Sequence, residues 1–195
     1  MKFSSLLLPL AASWLSVTAL PSFALPDGAQ QKLLAAQSDI GFVVKQMGVP
    51  VEGHFKKFDA QISFDAARPA SSKVAFTVDI ASASLGAPEV DAELPKVVWF
   101  NTAKFPQATF ASSSFKALGG GKYEVAGKLS IKGQSRDVVV PVTMTQTGAV
   151  TVAVGVFPIK RLVFKIGENE WADTSMVADD LQVKFKLALS GVGKV

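Results

Sequence analysis

The sequence predicts an all-β fold, an eight-stranded antiparallel barrel with one short helical insertion, and three observations predict it. Over residues 106–144 apolar side chains recur at every second position, separated by short polar breaks. Those breaks carry turn chemistry: Gly119-Gly120-Gly121 supplies positive backbone angles, and Lys132-Gly133-Gln134-Ser135 makes the next turn. Eight segments of this strand type can be counted along the chain, against one later stretch with helical spacing. Within the meander, Tyr123, Val125, Gly127, Leu129 and Ile131 share one strand face, while Glu124, Lys128, Ser130 and Lys132 fall mostly on the other. That apolar face must be buried against the chain's own continuation, in a sandwich or a barrel. Eight antiparallel strands close into a barrel whose interior admits either a packed core or one small ligand.

From the start, Met1-Lys2 is a short positive segment, followed by an apolar run through Leu20 and the small-residue site Pro21-Ser22-Phe23-Ala24. This pattern predicts a signal peptide over residues 1–24, cleaved after Ala24, and a single domain over residues 25–195. The competing reading, an uncleaved membrane anchor, is weakened by Pro9 and Pro21, which disfavour a spanning helix of about 20 residues. Without cysteine the chain has no lipoprotein anchor. In a bacterium with two membranes, the mature protein is then expected in the periplasm.

Residues 27–37 have helix formers but little pattern and read as an arm or a loosely paired first strand. Residues 38–46 form the first firm strand, with Ile40, Phe42 and Val44 on one side, and Gly48-Val49-Pro50 turns the chain. Residues 51–64 read as one long or bent strand with a bulge or kink at Gly53, and with Phe55, Phe58, Ile62 and Phe64 as its apolar side. A polar connection over 65–72 leads to 73–80, where Val74, Phe76, Val78 and Ile80 alternate with polar or small residues. The rhythm then stops. Residues 87–98 have Pro88 at a first helical position, acids near that end, and Val90, Leu94, Val97 and Val98 at helical spacing, with Pro95 breaking the helix midway. After the meander come strands at 150–157 and 179–190, separated by an irregular segment over 159–178.

Composition narrows the function. The chain has no cysteine, one histidine, and a net charge of +4 from dispersed lysines, which argues against nucleic acid as a partner. An oxidising compartment is met without disulfides, so the core itself supplies stability. Phe occurs 14 times against one Tyr, which suits a large dry interior. His54 lies in a strand without an evident orienting partner, so the sequence predicts no enzyme and no catalytic residue. One His with scattered acids predicts no zinc site; Asp173, Asp179 and Asp180 lack the spacing of a calcium loop. Gly119 to Gly121 has no following helix or Lys-Ser/Thr and is a hairpin turn, not a phosphate cradle.

Several ordered motifs carry a resemblance. Trp99-Phe100-Asn101, Lys104-Phe105-Pro106 and Ala108-Thr109-Phe110 are followed by Tyr123, Gly127, Leu129, Ile131 and Gly133, and then by Val140-Pro141-Val142. With Ser38, Ile40, Phe42, Val44, Gly53, Phe55 and Phe58 ahead of them, the set resembles the YceI-like family of exported lipid-binding proteins over nearly all of the mature chain. The resemblance implies a lipocalin-like barrel around a long isoprenoid tail, such as a polyprenyl compound or a quinone, with no catalysis and no cofactor beyond that ligand. The chain departs from the commoner family pattern at Glu93-Leu94-Pro95 and Val98, so a head-group contact from that pattern does not transfer. The segment around Phe157, Arg161, Gly167 and Glu170-Trp171 is more similar to the branch found alongside membrane cytochromes of the b561 type, which implies such a cytochrome as partner.

The candidate cavity residues are Phe42, Val44, Phe55, Phe64, Phe76, Val78, Phe110, Leu129, Ile131, Phe157 and Phe185, which would otherwise pack together in a filled core. Trp99 and Phe100 stand where the helical segment returns to the barrel, as a mouth or as a plug. Arg161 either reaches a head group or pairs with Glu168, Glu170 or Asp173, the commoner arrangement for an arginine in an apolar stretch. Burying about 300 Å² of an isoprenoid tail yields about 7 kcal/mol before the cost of association. The expected function is a periplasmic carrier of an isoprenoid lipid or quinone; the alternative is a structural or protein-interaction β-domain with a filled core. Oligomeric state, a homodimer included, is left open.

Overall fold

A computed structural model describes residues 30–195; the predicted leader at 1–24 lies outside the described residues. The described chain is one antiparallel sheet of eleven strands, three more than expected. Two of the additions are two-residue strands, Lys32–Leu33 (β1) and Ala83–Ser84 (β6). The third arises because the run expected as one bent strand is two, Val49–Phe55 (β3) and Phe58–Ser63 (β4). The break falls at Lys56-Lys57 and not at Gly53. Both lysines are exposed, and Ser82 holds the corner by taking the Lys57 N–H on its Oγ (2.9 Å) and the Lys56 N–H on its carbonyl (3.1 Å). Gly53 pairs in register with Phe42, so it is no bulge.

The remaining strands are Asp39–Gln46 (β2), Lys73–Asp79 (β5), Gln107–Gly119 (β7), Lys122–Ile131 (β8), Gln134–Thr147 (β9), Val150–Lys160 (β10) and Val177–Ser190 (β11). Strands β7 to β11 pair in chain order, and β11 then pairs with β2, which curls the sheet back on itself. Glycines carry the tight β7–β8 turn, with φ of 86°, 59° and 72° at Gly119, Gly120 and Gly121. The edges, β4 on one side and β3 with β6 on the other, are not hydrogen-bonded to each other. The barrel expectation therefore becomes a curled half-barrel whose seam the chain crosses at Lys56-Lys57.

Of the segment 27–37, expected as an arm or a loose strand, residues 27–29 lie outside the described residues, and Lys32–Leu33 supply β1 on β11. Just before it, the Gln31 side chain acts as a piece of backbone: Nε2 donates to Phe64 O and Oε1 accepts from Phe64 N, both at 2.7 Å. The start of the described chain thus fastens the free β4 edge to the β11 side.

The helical insertion is shorter than expected. Pro88–Asp91 (α1) makes one turn, and i to i+3 turns continue to Trp99, after which the Phe100 N–H reaches back to Leu94 O. Asp91 turns its carboxylate back to Ser84 Oγ (2.7 Å) and the Leu85 N–H (2.6 Å), and Pro95 has no N–H to extend a helix. Two apolar clusters fill opposite ends of the curl. One contains Leu94, Phe100, Ile131, Ile159 and Phe164; the other contains Phe64, Tyr123, Met144, Leu187 and Val192.

Candidate functional site

Inward-facing side chains along the strands should all be buried in a filled core. They are not: on β11, Leu187 and Leu189 are 5% and 3% exposed, while Leu181, Val183 and Phe185 on the same face are only half-buried. The difference is a hollow. A cavity of about 380 Å³ lies beneath the α1 segment, within the range of small-molecule sites. A second of about 160 Å³ lies behind it, and Ile40, Val78, Leu129, Phe157 and Val183 belong to both walls. From Leu181 to Leu189 the β11 face runs past both chambers, about 20 Å along the axis of a tilted sheet. The shape suits an extended chain more than a compact ligand.

The structure places every expected cavity residue in one wall or the other. Phe42, Val44, Phe55, Trp99, Phe100 and Ile131 line the larger chamber. Phe64, Phe76, Phe110 and Phe185 line the smaller; Val78, Leu129 and Phe157 serve both. Other wall residues not singled out from sequence, including Ile40, Leu181 and Val183, share strand faces with those named. Trp171 had no strand period to place it on a wall, because it sits in a single 3-10 turn, Asn169–Ala172.

Glycines keep the rings against the walls. An added Cβ on Gly53 would lie 2.3 Å from the Phe42 ring, and one on Gly127 would lie 2.5 Å from the Phe110 ring. Each phenylalanine lies over a glycine of the adjacent strand and leaves the lumen free. At the inner end Phe64 meets Tyr123 edge-on at 5.3 Å and Phe115 at 6.0 Å, and the exposed Lys73 also lines this chamber.

The outer end carries most of the polar residues. Gln46, Glu89, Val90 and Glu93 line the larger chamber and are exposed, so the mouth lies between the β2–β3 hairpin and α1. Trp99 and Trp171 close one side with ring centroids 5.2 Å apart. Trp99 therefore belongs to the mouth, while Phe100 is 8% exposed and packs in the adjoining cluster.

Arg161 requires a correction to both readings of it. Its side chain reaches the wall, but all five guanidinium N–H groups are donated to carbonyls. Nε gives to Ala178 (3.0 Å), Nη1 to Ile166 (2.9 Å) and Gly167 (3.0 Å), Nη2 to Trp171 and Val177 (both 2.6 Å). It pairs with none of Glu168, Glu170 or Asp173, and has no donor left for a head group. Burial pushes its pKa below the ordinary arginine value, and the charge of Asp179 partly opposes this. Lys132, 6% exposed, is engaged in the same way: Nζ donates to Val97 O (2.7 Å), Lys165 O (2.6 Å) and Glu168 Oε2 (2.9 Å). Together the two cations fasten the loops after β10 and α1 to the end of the sheet.

His54, without an evident partner in the sequence, bonds Asp39 across β2 and β3 at 3.0 Å. Both side chains are more than half exposed and His54 lines neither chamber.

Comparison with known proteins matches these features. A YceI-like domain profile matches residues 32–189. The crystal structure of Burkholderia cenocepacia BcnA superimposes with a TM-score of 0.78 at 47% identity, covering 80% of this chain and 98% of that one. The Campylobacter jejuni YCEI protein follows at TM-score 0.65 and 26% identity, over 71% of this chain and 83% of that one. A polyisoprenoid binding domain from Saccharophagus degradans shares the fold at TM-score 0.65 and 15% identity, over 83% of this chain and 98% of that one. Among curated sequences, a UPF0312 protein of Photorhabdus laumondii is 39% identical over 101 residues, 51% of this chain. The chain spans about half the length of the curated relatives it matches.

Proposed function

The chain belongs to the YceI-like domain family, and from that premise we propose that it is a non-enzymatic carrier or buffer of an isoprenoid lipid, working in the periplasm. One observation carries the reading: two adjoining apolar chambers, of about 380 and 160 Å³, form a lumen with a mouth under the α1 segment at one end and the Phe64–Tyr123 ring pair at the other. A lumen about 20 Å long between hydrocarbon walls fits a polyprenyl or quinone tail, whose burial drives binding through area removed from water. The polyisoprenoid binding domain of Saccharophagus degradans shares the fold only, so its ligand enters here by analogy. A leader at residues 1–24 supports export. The likeness of the segment from Phe157 to Trp171 to the cytochrome-associated branch supports a b561-type membrane cytochrome as the partner served.

A second reading has its own observation. Leu118, Val139, Val154 and Val156 are 40% to 60% exposed on the outer sheet surface, which favours a protein-interaction role for that face. Native mass spectrometry of the protein, purified without detergent from its own cell envelope, followed by organic extraction, separates the two. A stoichiometric isoprenoid species supports the carrier. An empty protein that added isoprenoids neither bind nor stabilise leaves the interaction reading standing.

A further inference from the structure

An isoprenoid carrier must also receive the polar end of its cargo, and the charges at the mouth limit what that end can be. The cation lining the larger chamber, Arg161, and those packed beside it are engaged, while the exposed Lys73 lines the smaller chamber away from the mouth and donates to the Ser113 carbonyl (2.9 Å). Arg161 donates all five N–H groups to backbone carbonyls, and Lys132 gives three bonds to Val97, Lys165 and Glu168. Lys96 is paired with Glu93 at 2.5 Å. Lys56 does not line the chamber, and its field falls on Asp91, itself held by Ser84 and Leu85. Glu93 is held by its pair with Lys96, so Gln46 and Glu89 are the amide and carboxylate at the mouth that can still turn to a ligand. Glu89 makes no salt bridge among the described residues, so its carboxylate is the uncompensated charge at the opening.

Resting on the carrier reading, we infer that the mouth selects an uncharged, hydroxyl-bearing head group, an isoprenoid alcohol or hydroquinone, and rejects the phosphorylated isoprenoids. A hydroxyl donates one hydrogen bond to the carboxylate of Glu89 or the amide oxygen of Gln46 and brings no charge. A phosphate carries between one and two negative charges and needs a cationic partner that this rim does not offer, its donors being the neutral Gln46 amide and the tryptophan N–H groups. Set within a few ångströms of Glu89 it is repelled, and its own desolvation is uncompensated. The rejection should be about tenfold or more in Kd.

The test titrates the purified protein with farnesol and with farnesyl phosphate at low salt, by calorimetry and by the fluorescence of the mouth tryptophans, and repeats both with Glu89→Gln and Glu89→Lys. Glu89 is exposed and in no ion pair, so both variants should fold. The inference expects farnesol to bind about tenfold or more tightly than the phosphate, Glu89→Gln to narrow that ratio to about threefold, and Glu89→Lys to abolish or reverse it. Equal or tighter binding of the phosphate by the unmodified protein overturns it while leaving the carrier intact, as does a ratio unmoved by Glu89→Lys. Binding of neither compound overturns the carrier reading and this inference with it.

Discussion

Gly155 on β10 stands directly across from Phe185 on β11, and a Cβ added to it would lie 2.4 Å from the Phe185 ring. The ring can lie against the wall of the smaller chamber because its neighbour has no side chain. Gly155→Ala should drive the ring inward, at a cost of roughly 1–3 kcal/mol for overpacking. The companion change Phe185→Leu should restore only part of the stability in the double variant, since it relieves the ring contact but not the Pro141 carbonyl oxygen, which the added Cβ would meet at 2.5 Å. Chemical denaturation of the four proteins measures this coupling, and equal losses in the presence and absence of the phenylalanine would show that the ring is not displaced.

Arg161 should not tolerate its nearest substitute. Lysine has three donors and no planar fork, so Arg161→Lys leaves at least two of the five carbonyls without that partner. A loss of about 3 kcal/mol or more is expected. Hydrogen exchange should localise it to residues 161–178, where the guanidinium joins the end of β10 to the start of β11. Uniform protection across that loop in the variant would contradict this role.

The strand faces were legible because a period of two needs only a few residues to declare itself. Leu181, Val183, Phe185, Leu187 and Leu189 read as one face and are one face of the lumen. The corner between β3 and β4 was not legible, since Phe55 and Phe58 look like one continuing apolar run until Ser82 is seen holding the chain at Lys56-Lys57. The α1 segment misled through its spacing. Pro88 and its acids announce a helix, but Asp91 is committed to Ser84 and Leu85 after one turn. At the site, the aromatic walls could be named from the strands alone. The acceptor cage around Arg161 could not, because it is built of backbone carbonyls, which any sequence supplies and only the fold assembles.

Asp91 should make the mouth sensitive to acid. The Ser84 hydroxyl and then the Leu85 N–H hold its carboxyl below the ordinary aspartate range, with some help from Lys56 and against its own partial desolvation. A depressed carboxyl contributes stability that is present at neutral pH and above its unfolded value of about 3.9, and is lost as pH falls through the folded one. Between about pH 5 and pH 2, therefore, the α1 segment of the native protein should become more accessible to an acid-active protease, while Asp91→Asn should show raised accessibility at pH 7 and a flatter response to acid. Parallel pH profiles for the two proteins would remove Asp91 from this role.

Val183 offers a way to measure the cargo with the protein itself. It lies midway along the β11 face, half-buried, and belongs to the walls of both chambers. Its neighbours on that face, Leu181 and Phe185, line the larger and the smaller chamber respectively. Val183→Phe projects a ring into the junction, where hollow space receives it and the overpacking penalty of a filled core is not incurred, so stability should change by less than about 1.5 kcal/mol. Short isoprenoids that fit the outer chamber should bind the variant within about threefold of the unmodified protein, whereas longer ones, whose far end must pass the junction, should lose about tenfold or more, as expected when about 50 Å² or more of apolar contact is forfeited. Plotting affinity against chain length for both proteins would show the curves together at short lengths and diverging beyond the length that reaches Val183. Curves that stay parallel at every length would mean that the tail does not pass from one chamber into the other.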